Sequence, residues 1–374
     1  MNVDELKETE ATSIKPDELE LHGQKAPASP QPADNQGIPS FRPIDRCVKI
    51  IVVGMISVMF LSLGEKFFFF LDPIFQYRFQ FAMTLTFAAG LLFFSKQFVW
   101  GLASLIVAAP TLATAAAFYL PVTYEQAAYH AETRRFLCFN IWGLNEEFDK
   151  ILAMIEREDP DVICFVEVVK PAVLAFKELE TRYPYVGIDP NHRGYGCRLY
   201  SKYPITQESD PKKSPSITDA PLVCCNIHFP ERTVTCYLTH LVSPTELSRV
   251  LTRNQQFIEL AELVSKEPLL TICCGDFNCT NWSVNLKKFL TKTGMKDSRK
   301  GHGLQPSWPA MFGTFLFRVP IDHVFVSPEI AVTFRKTAEA AGSDHLPVIV
   351  DLKFPLSEDS GASNIAREQR FSGF

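Results

Sequence analysis

The distribution of apolar positions divides this chain of 374 residues into a polar, an apolar and a mixed part. The polar part, residues 1–46, contains six prolines and no apolar periodicity. It cannot bury enough surface to form a core and is predicted to be disordered. In the mixed part, short apolar runs alternate with amphipathic stretches. The predicted organisation is a polar tail (1–46), an apolar region (47–120), a linker (121–133), a folded domain (134–355) and a C-terminal tail (356–374).

The apolar region predicts three membrane-spanning helices, at about 48–65, 78–95 and 98–120. The last of these has 23 residues without a charge, which is enough to cross a hydrocarbon layer of about 30 Å. An odd number of spans places the flanking parts of the chain on opposite sides of the membrane. Basic residues before the first span favour a cytoplasmic tail, since positive charge is retained inside. The prediction is a multi-pass protein of the cell (inner) membrane with an extracytoplasmic domain.

The folded domain has the periodicity of an α/β protein. Amphipathic helix patterns occur at 147–158 and 245–264, and apolar runs at 222–228 and 233–241 are typical of neighbouring strands. This alternation predicts a mixed sheet architecture. Nine of the ten cysteines fall in the domain and are interpreted as small apolar core residues, not as a disulfide framework or a zinc site. Their number is a point against an exported domain.

Polar residues stand at the ends of the predicted strands. The motif Gly275-Asp276-Phe277-Asn278 follows one apolar run, and Gly342-Ser343-Asp344-His345 precedes another. Four further strand patterns each contain a candidate site residue: Asn140, Glu167, His240 and Asp322. A buried carboxylate or amide is costly unless it is paired or bound to a metal. Each residue alone can be explained as a turn, a cap or a satisfied core group, whereas together they predict metal-assisted hydrolysis of a phosphoester.

These residues resemble the set found in the endonuclease/exonuclease/phosphatase superfamily. The resemblance extends over about residues 134–354, and Gly196–Ile205 is similar to a strand motif of that superfamily. It implies an α/β fold in which a two-sheet β-sandwich is flanked by helices, a four-layer arrangement like that of deoxyribonuclease I, here preceded by about three transmembrane helices. The segment Gln305–Pro309 is similar to a membrane-anchored bacterial group that includes a teicoplanin-resistance phosphatase.

The resemblance also implies roles for individual residues. Asn140, Glu167 and Asp344 would bind a metal ion, with Mg²⁺ expected and Mn²⁺ as the alternative. His345 would act on the phosphoryl oxygen or on the attacking water, and Asp322 would fix the tautomer of its ring.

Three further site residues complete the implied catalytic set. Asp276 would orient or deprotonate the water. Asn278 and His240 would contact the substrate, the first by holding the phosphate and the second by stabilising the developing charge. His228 and His323 are interpreted as structural.

Net charge and the apolar region both bear on the substrate. Residues 132–353 contain 27 acidic and 26 basic residues, a net charge of −1, whereas a protein that holds a nucleic-acid duplex needs a basic surface. The favoured substrate is therefore a phosphomonoester, phosphodiester or pyrophosphate of a membrane lipid, with the bilayer as partner; nucleic acid is not favoured. Two alternatives are a membrane-tethered endonuclease or exonuclease and a catalytically inactive membrane-associated binding module.

Overall fold

The computed structural model describes residues 42–64, 67, 69–123, 132–190, 196–208, 212–311 and 315–355. The C-terminal tail, all but a few residues of the N-terminal tail and most of the linker that the sequence predicts lie outside these described residues. The chain divides into two units, Met1–Pro43 and Ile44–Phe374. Of the first unit, the structure describes only Arg42 and Pro43, the first two residues of a helix that continues into the second unit. The second unit contains all other elements below.

Four helices precede the strands of the domain. They are α1 (Arg42–Leu63), the short α2 (Asp72–Phe75), α3 (Arg78–Phe94) and α4 (Phe98–Ala117). Residues of α1, α3 and α4 form one buried apolar cluster, to which small side chains such as Ala82, Ala88 and Ala108 contribute. Large apolar side chains, including Phe87 and Phe94, are exposed on the outer side. Small residues inside and large apolar residues outside are typical of helices that pack within lipid.

Two of these helices are long and apolar enough to cross a membrane, by length and composition. They are the Arg46–Leu63 part of α1 and all of α4. The middle span predicted at 78–95 is corrected to a shorter apolar helix, because α3 has 17 residues. At 1.5 Å per residue α3 is about 26 Å long, which is less than the ~30 Å of a hydrocarbon core.

The connection between α1 and α3 contacts the domain directly. Asp72 Oδ2 lies 3.0 Å from Nη1 of Arg253, and both side chains are buried. Gln76 Oε1 accepts hydrogen bonds from the amide and the hydroxyl of Thr280, at 2.6 and 2.8 Å. These contacts join two parts of the chain that are about 200 residues apart in sequence.

The end of α4 also contacts the domain. The Phe118 carbonyl accepts hydrogen bonds from the amides of Gly301 and Gly303, both at 2.9 Å. Ala115 and Phe118 pack in a small apolar cluster with Trp282 of the domain. The N-terminal helices are therefore fixed to the domain by packing and hydrogen bonds.

The domain is built from two six-stranded sheets. The strands of the first are, in spatial order, β11 (Ala331–Thr337), β12 (Val348–Lys353), β1 (Arg134–Asn140), β2 (Val162–Val168), β4 (Gly196–Ser201) and β3 (Tyr185–Ile188). Those of the second are β5 (Ile205–Thr206), β6 (Leu222–His228), β7 (Thr233–His240), β8 (Leu270–Asp276), β10 (Asp322–Val326) and β9 (Lys296–Asp297). β1 and β2 are parallel, as are β7 and β8, and all other neighbours are antiparallel. The prediction of mixed sheets is confirmed.

Helices flank both sheets. They are α5 (Phe148–Glu158), α6 (Lys170–Ala175), α7 (Leu179–Arg182), α8 (Leu247–Val264) and α9 (Val284–Thr293). The first three pack on the first sheet, where Ile151 of α5 and Leu179 of α7 share a cluster with Phe165. The last two pack on the second sheet, where Phe257 and Phe289 share a cluster with Phe325. The helices predicted at 147–158 and 245–264 are α5 and α8, and the order helix, sheet, sheet, helix is the predicted four-layer arrangement.

The cysteines of the domain are core residues. All ten cysteines of the chain are free, and eight of the nine in the domain are buried. Cys164, Cys236 and Cys274 come from both sheets, and their sulphur atoms lie within 4.8 Å of one another. They pack with valine and isoleucine side chains in the cluster between the sheets.

The directions of the strands bring the site-bearing strand ends of both sheets to the same end of the sandwich. β1, β2, β7 and β8 end there, and β10 and β12 begin there because they run antiparallel to β8 and β1. In the second sheet, Asp276 has His240 opposite it on one side and Asp322 on the other. In the first, Asn140 stands opposite Val166, the residue before Glu167.

Gly275 permits the close approach of β7 and β8 at this edge. Its φ is +135°, and a Cβ at this position would lie 1.8 Å from the carbonyl oxygen of Thr239. Gly275→Ala is therefore expected to destabilise the protein by about 2–5 kcal/mol, from backbone strain and steric overlap together. Thermal unfolding in mild detergent measures the effect. Gly294→Ala is the matched control, because Gly294 also has positive φ (+70°) but a Cβ added there would meet no atom within 4 Å. Equal losses in the two variants would contradict the steric explanation.

Candidate functional site

A cavity of about 840 Å³ opens at the edge where the strand ends meet. Six of the eight predicted site residues line it: Glu167, His240, Asp276, Asn278, Asp344 and His345. The other two, Asn140 and Asp322, are buried and each contacts a residue of the lining. The structure thus brings together all eight residues, which span more than 200 positions in the sequence.

Asp322 and His345 form a buried hydrogen-bonded pair. His345 Nδ1 lies 2.8 Å from Asp322 Oδ2, and the opposite ring nitrogen, Nε2, lies 3.6 Å from Asp276 Oδ2. The ring is therefore oriented by one carboxylate and directed towards a second. Ser343 fixes the loop, because its hydroxyl donates to the Asn140 carbonyl and accepts from the His345 amide.

Burial and neighbouring charges have opposing effects on the pKa values of His345, Asp276 and Asp322. Burial disfavours a charged ring, but Asp322 and Asp276 outweigh it and raise the pKa of His345 to about 10. Burial raises the pKa of Asp276 to about 6, although the imidazoles of His345 and His240 oppose the shift. Burial acts in the same direction on Asp322, but His345 brings the pKa of Asp322 below its usual value. Of the three groups, His345 therefore binds a proton most readily, and Asp276 binds one more readily than an ordinary carboxylate does.

Glu167 faces the cavity beside His240. Its Oε1 accepts a hydrogen bond from Asn140 Nδ2 at 2.8 Å, and its Oε2 accepts one from the Gly143 amide at 3.0 Å. His240 Nε2 lies 3.8 Å from Glu167 Oε1 and 3.6 Å from Asp276 Oδ2. Glu167 has a φ of +59°, and the pairing of β2 with β4 shifts register at this point. This bulge turns the carboxylate towards the cavity.

The Asn140 amide holds carboxylates in place. Its nitrogen donates to Glu167 Oε1 and to Asp276 Oδ2, at 2.8 and 3.0 Å, and its oxygen accepts from the Trp142 amide at 3.0 Å. The opposite amide orientation would face two carboxylates with an oxygen and leave the Trp142 amide without this acceptor. Direct binding of a cation by Asn140 stays a prediction.

Asn278 connects the β8 turn to His240. Its side-chain nitrogen lies 3.1 Å from His240 Nε2 and donates to the Leu241 carbonyl at 2.8 Å. Its own amide donates to Asp276 Oδ1 at 2.8 Å, which is the turn that the sequence Asp-Phe-Asn favours. Both His240 and Asn278 therefore border the cavity close to Asp276.

Two groups of side chains at the cavity could hold a hard divalent cation, and each contains two carboxylates and one histidine. Ligand atoms of Glu167, His240 and Asp276 lie within 4.8 Å of one another, and so do those of Asp276, Asp322 and His345. Asp344 adds a further carboxylate, whose Oδ2 accepts from the Trp308 indole at 3.0 Å and whose Oδ1 lies 4.0 Å from Nε2 of His345. Carboxylate oxygens with open lone pairs are the ligands that Mg²⁺ prefers.

His323 is a structural residue, as the sequence predicted. Its Nε2 lies 2.7 Å from the Cys279 carbonyl and its Nδ1 lies 2.9 Å from Nη2 of Arg299. Burial, with the charge of Arg299, lowers the pKa of His323 to about 3, so the ring is neutral and donates through Nε2.

Sequence reasoning missed several residues of the cavity. Trp308 belongs to the recognised segment 305–309, but nothing in the sequence connects its indole to Asp344. Arg249 of α8 also lines the cavity, and no sequence motif surrounds it. Pro73, Gln76 and Tyr77 also line the cavity, although they lie in the region assigned to the membrane.

Comparisons with known proteins identify the family. No curated protein matches the sequence. The sequence profile of the Endonuclease/Exonuclease/phosphatase family matches residues 137–345, more than half of the chain.

Solved structures with the same fold include a member of that family from Bacteroides thetaiotaomicron. It is 20% identical with a TM-score of 0.50, and the match covers 61% of this chain and 100% of that one. A family member from Beutenbergia cavernae is 20% identical, with a TM-score of 0.47 and coverage of 59% and 72%. A mannosyl-6-phosphatase from Bacteroides thetaiotaomicron is 18% identical, with a TM-score of 0.45 and coverage of 59% and 100%. The first of these supports the two-sheet fold, and the profile match over the whole domain shows that this chain belongs to the endonuclease/exonuclease/phosphatase family, whose enzymes hydrolyse phosphoester bonds with a divalent metal.

Proposed function

We propose that the protein is a membrane-anchored, Mg²⁺-dependent phosphoesterase that hydrolyses a phosphomonoester, phosphodiester or pyrophosphate of a membrane lipid. The observation that carries the proposal is the convergence of Glu167, Asp276 and the Asp322–His345 pair on one cavity. Carboxylates for a cation and an oriented imidazole are the groups that hydrolysis of an anionic ester requires.

Glu167 and Asp344 are the proposed metal ligands. The Asn140 and Gly143 hydrogen bonds hold the Glu167 carboxylate towards the cavity, and Asp344 lines the same cavity with its Oδ1 4.0 Å from Nε2 of His345. A bound Mg²⁺ would neutralise charge on the phosphoryl oxygens. Asn140 is proposed mainly to position these carboxylates.

The remaining residues act on the substrate and on water. Asp276 orients the attacking water and accepts its proton. His345, held by Asp322, donates a hydrogen bond to a phosphoryl oxygen and stabilises its charge in the transition state. Asn278 and His240 hold the other side of the phosphoryl group.

The proposed membrane anchor consists of α1 and α4. Only 17% of Arg46–Leu63 and 28% of α4 are buried within the protein, which supports a position in lipid over one in the core of a soluble domain. Their exposed apolar surface and the near-neutral charge of the domain support a lipid substrate. The extracytoplasmic side for the domain stays a prediction from the basic residues before α1.

Hydrolysis by the full-length protein in mild detergent tests the proposal. The substrates are the dodecyl monoester of phosphate, the dodecyl diester of methyl phosphate, dodecyl diphosphate and plasmid DNA, each with Mg²⁺, with Mn²⁺ and with a chelator. We expect one dodecyl ester to be hydrolysed with Mg²⁺, faster than DNA, and the chelator to abolish the reaction. Faster cleavage of DNA would establish the tethered nuclease, and no hydrolysis with either cation would favour the binding module.

A further inference from the structure

The cavity is shared between the domain and the connection that joins α1 to α3. Pro73, Gln76 and Tyr77 line it together with the proposed catalytic residues. Apolar residues also line it, among them Leu241, Val242, Pro244, Val319 and Ile321, which we call the apolar wall. The cavity therefore offers carboxylates and imidazoles to a charged head group and hydrocarbon side chains to an apolar chain.

Buried polar contacts fix this connection to the catalytic turn after β8. Asp72 accepts a hydrogen bond from Arg253 Nη1, and the same nitrogen donates to the Asn278 carbonyl at 2.8 Å. Gln76 donates to Asp72 at 2.9 Å and accepts from Thr280. Asn278 and Thr280 belong to the segment that follows Asp276, so the connection is held against the turn that carries proposed catalytic groups.

The surface around the connection is apolar and exposed. Phe67, Phe70 and Ile74 are 68%, 55% and 42% exposed. On the domain, Leu316 and Phe317 are 63% and 60% exposed and directly precede Arg318. The Arg318 carbonyl accepts a hydrogen bond from Gln80 near the start of α3 at 2.9 Å. Large exposed apolar side chains on both sides of this contact form a surface suited to the interface of a bilayer.

We propose that the α1–α3 connection is the lipid-side wall of the catalytic cavity, and that the substrate carries its phosphoester or pyrophosphate on a long apolar chain. The head group lies among Glu167, Asp276 and His345, and the first part of the chain lies against Tyr77, Pro73 and the apolar wall. This inference rests on the proposed function and adds to it where the apolar chain of the substrate binds. A short water-soluble ester makes only the head-group contacts.

Hydrolysis of butyl and dodecyl versions of the same ester by the full-length protein tests the wall. Tyr77→Glu and Pro73→Glu each introduce a charge there, the first at the N-cap of α3 and the second in the first turn of α2. An acidic residue is favourable at a helix N-terminus, so we expect both variants to fold. We expect kcat/KM for the dodecyl ester to fall by about tenfold or more in each variant, because one apolar contact of a pocket contributes that much to specificity. For the butyl ester, kcat/KM should change by less than about twofold.

Tyr77→Phe is the matched control and should retain both activities, and thermal unfolding verifies that all variants are folded. Equal losses on both esters, or no loss on the dodecyl ester, would contradict the proposal that the α1–α3 connection binds the apolar chain. If the unaltered protein hydrolyses the butyl ester as well as the dodecyl ester, the substrate does not need a long chain, while the phosphoesterase function stands. If it hydrolyses neither ester, both the long-chain substrate and the phosphoesterase function are contradicted.

Discussion

Glu167→Gln is expected to lower kcat/KM for phosphoester hydrolysis by about 10³-fold, because several kcal/mol of transition-state stabilisation are lost with the cation. Glutamine retains the size of the side chain and an oxygen for the Asn140 or Gly143 hydrogen bond, so the fold should be unchanged. Isothermal titration with Mg²⁺ and Mn²⁺ should show a weakened cation site in the same variant. Glu329→Gln, at an exposed position after β10, is the control and should retain activity.

The variant His345→Gln distinguishes a role in turnover from a role in binding the metal ion. We expect its turnover to fall by about 10²–10³-fold, since a donor to the transition state is removed. Its affinity for Mg²⁺ should remain close to that of the unaltered protein, because Glu167 and Asp344 are intact. Equal losses of cation affinity in the Glu167 and His345 variants would show that the roles of the two residues are misassigned.

Arg253→Met is expected to destabilise the protein by about 3–5 kcal/mol, because it leaves the Asp72 carboxylate buried without its ion-pair partner. Asp72 and Arg253 have side-chain exposures of 2% and 0%, so water cannot replace the lost partner. The measurement is the unfolding temperature in mild detergent. The double variant Asp72→Leu with Arg253→Met should recover much of the loss, since it removes both charges.

The exposed pair of Arg182 and Asp159 provides the control. Its side chains are 43% and 59% exposed, so Arg182→Met should cost less than about 1 kcal/mol. If Arg253→Met unfolds at the same temperature as the Arg182 variant, the α1–α3 connection is not held by the buried ion pair. The same reasoning predicts that removal of α1 to α4 destabilises the domain rather than simply releasing it.

Sequence patterns indicated where several strands end, but not which strands are neighbours. Asp276, His240 and Glu167 each lie at the end of a strongly apolar run, and the carboxyl ends of parallel strands such as β7 and β8 meet at the same end of a sheet. The order itself could not be predicted, because nothing local indicates that β1 pairs with β12 from the far end of the chain. Long-range pairing depends on the whole arrangement and leaves no local pattern.

Two details of the site depend on geometry that residue types do not contain. The orientation of the Asn140 amide is set by the Trp142 amide, which a residue list cannot show. The contribution of Gln76 and Tyr77 to the cavity was hidden because their segment has the composition of a membrane region. Composition indicates where a segment prefers to lie, but it does not indicate which surface of another domain it contacts.

The pairing of early and late elements has a consequence for biosynthesis. β1 gains both of its neighbours only when β12 has been made, and Asp72 waits for Arg253, 181 residues further along. Until Arg253 has been made, the α1–α3 connection carries a carboxylate without its ion-pair partner, and until β12 has been made, the first sheet lacks the strand that joins β11 to β1. Since strand edges and exposed apolar surface invite aggregation, the nascent chain is most vulnerable to aggregation before β12 is complete. Truncated translation products that lack β12 should therefore fail to fold and be degraded.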